Sequence, residues 1–194
     1  MSVEPDLLEL IEKCKVGDRR AQFDLYGRFS GLMFAVSLRY TNTRIDAEDV
    51  VQNAWVKIFS KLDTFSENNS FEGWMRRIVV NTAITLYRKN KKHANQADIS
   101  EVLATPQDID ASKQCDFTRE ELENAISRMP EGYGVVFKLY VIDGYKHKEI
   151  AEMLDIEANT SKSQLSRAKK FLQGVLLHME QVATPREDDH SNID

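Results

Sequence analysis

A chain of 194 residues with 42% hydrophobic and 29% charged side chains is long enough to bury one or two small cores but not one large one. The formal net charge of -5 is a sum over blocks of opposite sign. Stretches 76–92 and 162–170 are basic while 98–121 and 187–189 are acidic, so the total does not exclude a polyanionic partner.

Taken in chain order, the periodicity is helical almost throughout and strand signals are scarce, so the predicted fold class is all-α. A first helix over 6–15 is bracketed by Pro5 in its first turn and Gly17 just beyond its end, and Asp18 is placed to cap the next helix. Phe29, Met33, Val36 and Tyr40 step by four, three and four, and Val51, Trp55, Ile58 and Leu62 repeat those steps. Met75, Ile78, Val79, Thr82 and Leu86 extend the pattern through a further helix. These helices make one domain, 1–92. Periodicity then fades into a polar, acidic stretch with Pro106, too long for an ordinary loop, which predicts a flexible linker over 93–118. A second small domain, 119–181, opens with the stripe Leu122, Ile126, Met129. Pro130 and Gly132 interrupt it, and Val135, Val136, Leu139 and Tyr140 form another stripe ending near Gly144. The tail 182–194 has the composition of a disordered segment.

The stretch HKEIAEMLDIEANTSKSQLSRAKK, 147–170, reads as two short helices around a tight turn. Ile150, Ala151 and Leu154 form the apolar stripe of the first, and Leu165, Ala168, Leu172, Leu176 and Met179 that of the second. Asp155 tolerates a left-handed backbone in the turn, and Asn159 or Thr160 is expected to cap the second helix. Opposite the core stripe, Lys162, Ser163, Ser166, Arg167 and Lys170 project together, offering groups that suit phosphates and base edges. Taken alone, a basic stripe is as readily a solvated face. Helix-turn-helix spacing with a basic second helix points instead to DNA.

A second basic helix lies in FEGWMRRIVVNTAITLYRKNKK, 71–92. Phe71 and Trp74 are expected in the core, while Arg77, Asn81 and Arg88 fall on one side. With a preceding loop bearing Phe65, Asn68 and Asn69, that side suits a phosphate backbone and an extruded base.

An enzyme is disfavoured, and no catalytic residue, metal site or cofactor is expected. The chain has no glycine-rich phosphate loop and no histidine-rich cluster. Asp46, Glu48 and Asp49 diverge around a helix and fit a first-turn acidic cluster that favours the helix dipole. Cys14 and Cys115 lie far apart, without a CxxC pair or histidines at metal spacing, as free thiols in a reducing compartment do. No basic start leads into an apolar run, and nothing approaches about 18 continuous apolar residues. The expectation is a soluble, cytoplasmic protein without direct membrane insertion.

In their order, DAEDVVQNAWVKIFSKL (46–62), FEGWMRRIVVNTAITLYRK after it, the acidic linker and the C-terminal helix-turn-helix resemble bacterial extracytoplasmic-function (ECF) sigma factors of the sigma-70 class. The resemblance covers nearly everything from Leu7 to Met179. It implies a first domain that docks on core RNA polymerase and opens promoter DNA, and a second that reads the upstream promoter element as duplex. The residues it assigns to polymerase binding are Asp49, Gln52, Asn53, Val56 and Lys57, on the helix matching the one that packs on the clamp. Asn81 matches the position of an everted base of the downstream element, with Arg76, Arg77 and Arg88 gripping backbone. Lys162, Ser163 and Arg167 match recognition-helix positions, and Ser166 and Lys170 share their face. A linker path near the RNA exit channel and a membrane-linked anti-sigma protein are further implications. The chain departs from the family pattern at Asp155, where glycine is common, and at Ser161, where an apolar residue such as valine is frequent, which implies a weakened core contact. Lys162 and Gln164 replace commoner arginines, so base preference does not carry over. The rival is a stand-alone helix-turn-helix regulator, but such proteins usually dimerise and no dimerising heptad of adequate length is present.

Overall fold

The computed structural model describes residues 5–94 and 117–183, and the chain divides near residue 100 into two compact units. Every regular element among the described residues is helical. The expected acidic linker and tail lie almost wholly outside the described residues.

In the first unit, α1 (Pro5–Lys15) ends where Gly17 takes a positive φ of 83°, which a side chain would resist. Asp18 then caps α2 (Arg19–Leu38), its carboxylate accepting from the backbone N–H groups of Arg20 and Ala21. Thr43 caps α3 (Arg44–Ser60) through the N–H of Asp46, whose charge also suits the helix start. A single 3-10 turn, Leu62–Thr64, and an exposed loop lead to α4 (Phe71–Ala94), where Ser70 Oγ accepts from the N–H of Gly73. The stripes expected from the sequence point inward: Phe29, Met33, Val36, Tyr40, Val51, Trp55, Ile58, Leu62, Met75 and Val79 are all buried. Ile78 and Leu86 lie at the margin. Ser37 is buried among them and donates to the carbonyls of Phe34 and Ala47, satisfying its hydroxyl at the α2–α3 contact.

In the second unit, Thr118 and Glu121 form a reciprocal capping box at the start of α5 (Arg119–Ser127). α6 (Glu131–Phe137) runs without interruption into a π turn, Lys138–Ile142, closed by the bond from Asp143 N–H to the Lys138 carbonyl. The widened turn buries Leu139 but leaves Tyr140, Val141 and Ile142 exposed, so Tyr140 departs from its expected core stripe. Burial pushes the Lys138 ammonium below its ordinary value, with Glu131 opposing. α7 (His147–Leu154) ends at Asp155, which takes the left-handed conformation expected of it, with φ 58° and ψ 49°. α8 (Ala158–Ala183) follows at once. Neither Asn159 nor Thr160 caps it, because the left-handed closure at Asp155 leaves so short a turn that both already sit in the first helical turn, with Ser161 N–H bonded to the Glu157 carbonyl. Ile150 of α7 and Leu165 and Ala168 of α8 are buried, while Leu172, Leu176 and Met179 are only half-buried.

Candidate nucleic-acid interface

On α8, the inward turn of Leu165 and Ala168 forces Lys162, Ser163, Ser166, Arg167 and Lys170 outward, and all five are exposed. Ser163 Oγ donates to the Thr160 carbonyl at 2.9 Å. The Arg167 guanidinium stands over the Tyr133 ring of α6 at 6.0 Å, so it is oriented as well as exposed. Ser161, which stands where an apolar residue is frequent in the family, is fully buried, and its Oγ lies 2.9 Å from Nδ1 of His147. His147 in turn stacks on Tyr140, ring centroids 4.6 Å apart. A hydroxyl fourteen residues from its partner leaves no periodic signal, and only the fold joins them.

On α4, Arg77 and Asn81 are exposed on one face, with Thr85 a turn beyond donating to the Asn81 carbonyl. Arg76 is half-buried and paired with Glu72 at 2.8 Å, and Arg88 is half-buried. Asn68 and Asn69 are exposed on the loop before α4, but Phe65 is not free to stack on a base from there. It is buried in an aromatic cluster with Phe71 and Trp74, centroids 4.9 and 5.7 Å away. Apolar enclosure outweighs exposure for that ring because two neighbouring aromatics already cover it. Trp74, expected in the core, sits at its edge.

On α3, Asp49, Gln52, Asn53, Val56 and Lys57 are exposed opposite the buried stripe, Val56 at 71% of its surface. Asn53 Nδ2 donates to the Asp49 carbonyl. Lys57 does not point away from the unit: its Nζ donates to Thr82 Oγ1 of α4 at 3.0 Å, and Thr82 donates onward to the Ile78 carbonyl. The bond ties Lys57 to a buried hydroxyl of α4 and draws its ammonium toward the α3–α4 contact. Among the described residues no group of three or more His, Cys, Asp or Glu is arranged to hold a metal ion. No helix there is long and apolar enough to cross a membrane.

The exposed cations of α8, and Arg77 with Asn81 on α4, lie on two separate helical units, and comparison with known families assigns a family domain to each unit. Residues 25–93 match Sigma-70 region 2 and residues 119–172 match Sigma-70, region 4, together more than half of the chain, and the protein belongs to the sigma-70 family, as a factor of the ECF type. It is 27% identical to the ECF RNA polymerase sigma-E factor of Haemophilus influenzae over 175 residues, covering 84% of this chain and 92% of that one. The corresponding factor of Escherichia coli K12 is 26% identical over 176 residues, covering 84% and 90%. Among solved structures, the chain is similar to RpoE of Bartonella quintana, crystallised with the anti-sigma factor NepR, at a TM-score of 0.47, 21% identity and 79% and 97% coverage. It is also similar to CnrH, solved with the cytosolic domain of CnrY, at a TM-score of 0.46, 20% identity and 87% and 96% coverage.

Proposed function

We propose that this ECF sigma factor directs core RNA polymerase to promoters by dividing the work among three helical faces. The outward face of α3, with Asp49, Gln52, Asn53 and Val56, docks on the polymerase clamp. The α4 face receives the downstream element, Asn81 holding an everted base and Arg77, with Arg76 and Arg88, meeting backbone. α7 and α8 act as a helix-turn-helix whose Lys162, Ser163, Ser166, Arg167 and Lys170 read the upstream element as duplex. The observation that carries this reading is the exposure of all five α8 groups on a helix whose opposite side is buried. Phosphate attraction dominates affinity at such a face and makes it salt-sensitive.

The acidic segment 93–118 serves as the tether between the units. Alone, two small reading heads on a tether bind promoter DNA weakly. Once one head is docked on polymerase, the other gains effective concentration if the tether spans the gap. An anti-sigma protein that masks the α3 or α8 face, held at the cytoplasmic side of a membrane, belongs to the same reading. The exposed Val56 at the centre of a polar surface supports it, since such a surface gains by being covered.

Co-elution of the purified chain with bacterial core polymerase, followed by run-off transcription, tests the proposal. The native chain is expected to bind and to support initiation, and the variant Asp49→Lys, Gln52→Ala, Asn53→Ala to lose at least about tenfold in polymerase affinity. Tight, sequence-specific DNA binding by the free chain with no polymerase binding would replace this reading with the stand-alone regulator.

A further inference from the structure

The DNA-facing surface of α8 begins one residue after a buried serine. Ser161 has no exposed surface, and its Oγ lies 2.9 Å from Nδ1 of His147, the first residue of α7. The imidazole is fixed in its turn, stacked on Tyr140 of the π turn at 4.6 Å with an interplanar angle of 22°. An enclosed hydroxyl needs a partner to offset its lost hydration, and this one finds it on the neighbouring helix. One side chain from each of three consecutive elements thus meets at the N-terminal turn of α8. At about 100° per residue, the next two side chains, Lys162 and Ser163, emerge on the exposed side.

We infer that His147 is a positioning residue for promoter reading. Through its bond to Ser161 it sets the rotation and axial placement of the first turn of α8, and so aims Lys162 and Ser163 at base edges. The inference rests on α8 being the DNA-reading helix. Arg167 lies more than a turn further along and is aligned separately, over the Tyr133 ring at 6.0 Å. Loss of the His147–Ser161 bond therefore lets the first turn shift while the Arg167 end keeps its place. Hydrogen bonds to base edges require fixed geometry, whereas attraction to phosphates tolerates displacement. The bond accordingly governs sequence discrimination at the base pairs facing the first turn, more than overall affinity.

The test uses holoenzyme assembled from core polymerase and the full-length chain, with promoters enriched from a library randomised across the upstream element. His147→Phe keeps a ring for the Tyr140 stack and deletes the nitrogens, and Ser161→Ala deletes only the hydroxyl. Each is expected to lower discrimination about fivefold, the equivalent of one net hydrogen bond, at one or two adjacent base pairs only. Discrimination at the base pairs lost in Arg167→Ala, and the salt dependence of binding, stay as in the native chain. The double variant should be no worse than either single one, because both act through one bond. Unchanged discrimination in both single variants would overturn the inference. So would a uniform loss at every position with a lowered melting temperature, the mark of a merely structural contact. A native holoenzyme that enriches no upstream sequence would overturn the underlying reading of α8, a result distinct from either of those.

Discussion

The two units bury their cores differently. In the first, Ile11, Leu25, Met33, Ile58, Leu62 and Met75 are sealed from solvent, and Phe29, Phe65, Phe71 and Trp74 close one end with mutual ring contacts. In the second, fewer large side chains are sealed, Leu139 and Ile150 chief among them. The stripe of α8 stays half-open beyond Ala168, and a polar bond holds α7 to α8. A small unit has little apolar area to bury, so hydrogen bonds and caps carry a larger share of its definition. The first unit is held by a sealed apolar core with a ring cluster at one end, and the second combines a smaller sealed core with the His147–Ser161 bond and the Thr118–Glu121 cap.

That contrast is broken or sharpened first by core truncation. Ile58→Ala should destabilise the first unit by about 2–5 kcal/mol, whereas Leu176→Ala on the half-open stripe should cost about 1 kcal/mol, both read by urea denaturation. Equal losses would erase the distinction. Next, Arg167→Ala should cost about 1–3 kcal/mol in upstream-element binding, against little change in melting temperature, as measured by titrating holoenzyme with duplex promoter DNA. Thr118→Ala, which removes the cap of α5, should lower the stability of the second unit by about 1 kcal/mol by thermal melting. The Thr118 N–H and hydroxyl hold the Glu121 carboxyl below its ordinary value of 4.5. The capping contribution is therefore present above that value and fades as the pH falls through the lowered one.

A further effect is confined to alkaline solution and is absent at neutral pH. Burial, with help from Asp18 and Asp24, pushes the Cys14 thiol up from 9.0 to about 11. The folded unit then keeps a proton that the unfolded chain gives up, so its contribution is intact below pH 9 and is lost as the pH rises through about 11. Cys14→Ala should remove that alkaline slope, and native Cys14 should resist thiol reagents at neutral pH.

The helices and their inward stripes were legible in the sequence because a period of three and four survives whatever packs against it, as Met33, Ile58 and Ile150 illustrate. The outward exposure of the α8 cations follows from the same geometry. Features set by contacts distant in sequence were not legible. The π turn at Lys138–Ile142 leaves no periodic mark, and Ser161 looks like a gap in an apolar stripe until His147 is brought beside it. Lys57 reads as one more outward cation on α3 until Thr82 of α4 captures it. Phe65, placed by sequence on an exposed loop, is held inside by rings that the chain adds afterwards. The early start of α8 was missed because Asn159 and Thr160 are good caps, yet the left-handed Asp155 shortens the turn and places both inside the helix.

The aromatic cluster has an optical corollary. The chain's two tryptophans, Trp55 and Trp74, both belong to the first unit, one buried between Tyr26 and Phe59 and the other beside Phe65 and Phe71. Intrinsic tryptophan emission is thus a reporter for one half of the molecule, whereas far-ultraviolet circular dichroism sums the helices of both. Non-coincident transitions by the two signals would resolve the unfolding of the second unit from that of the first without any label.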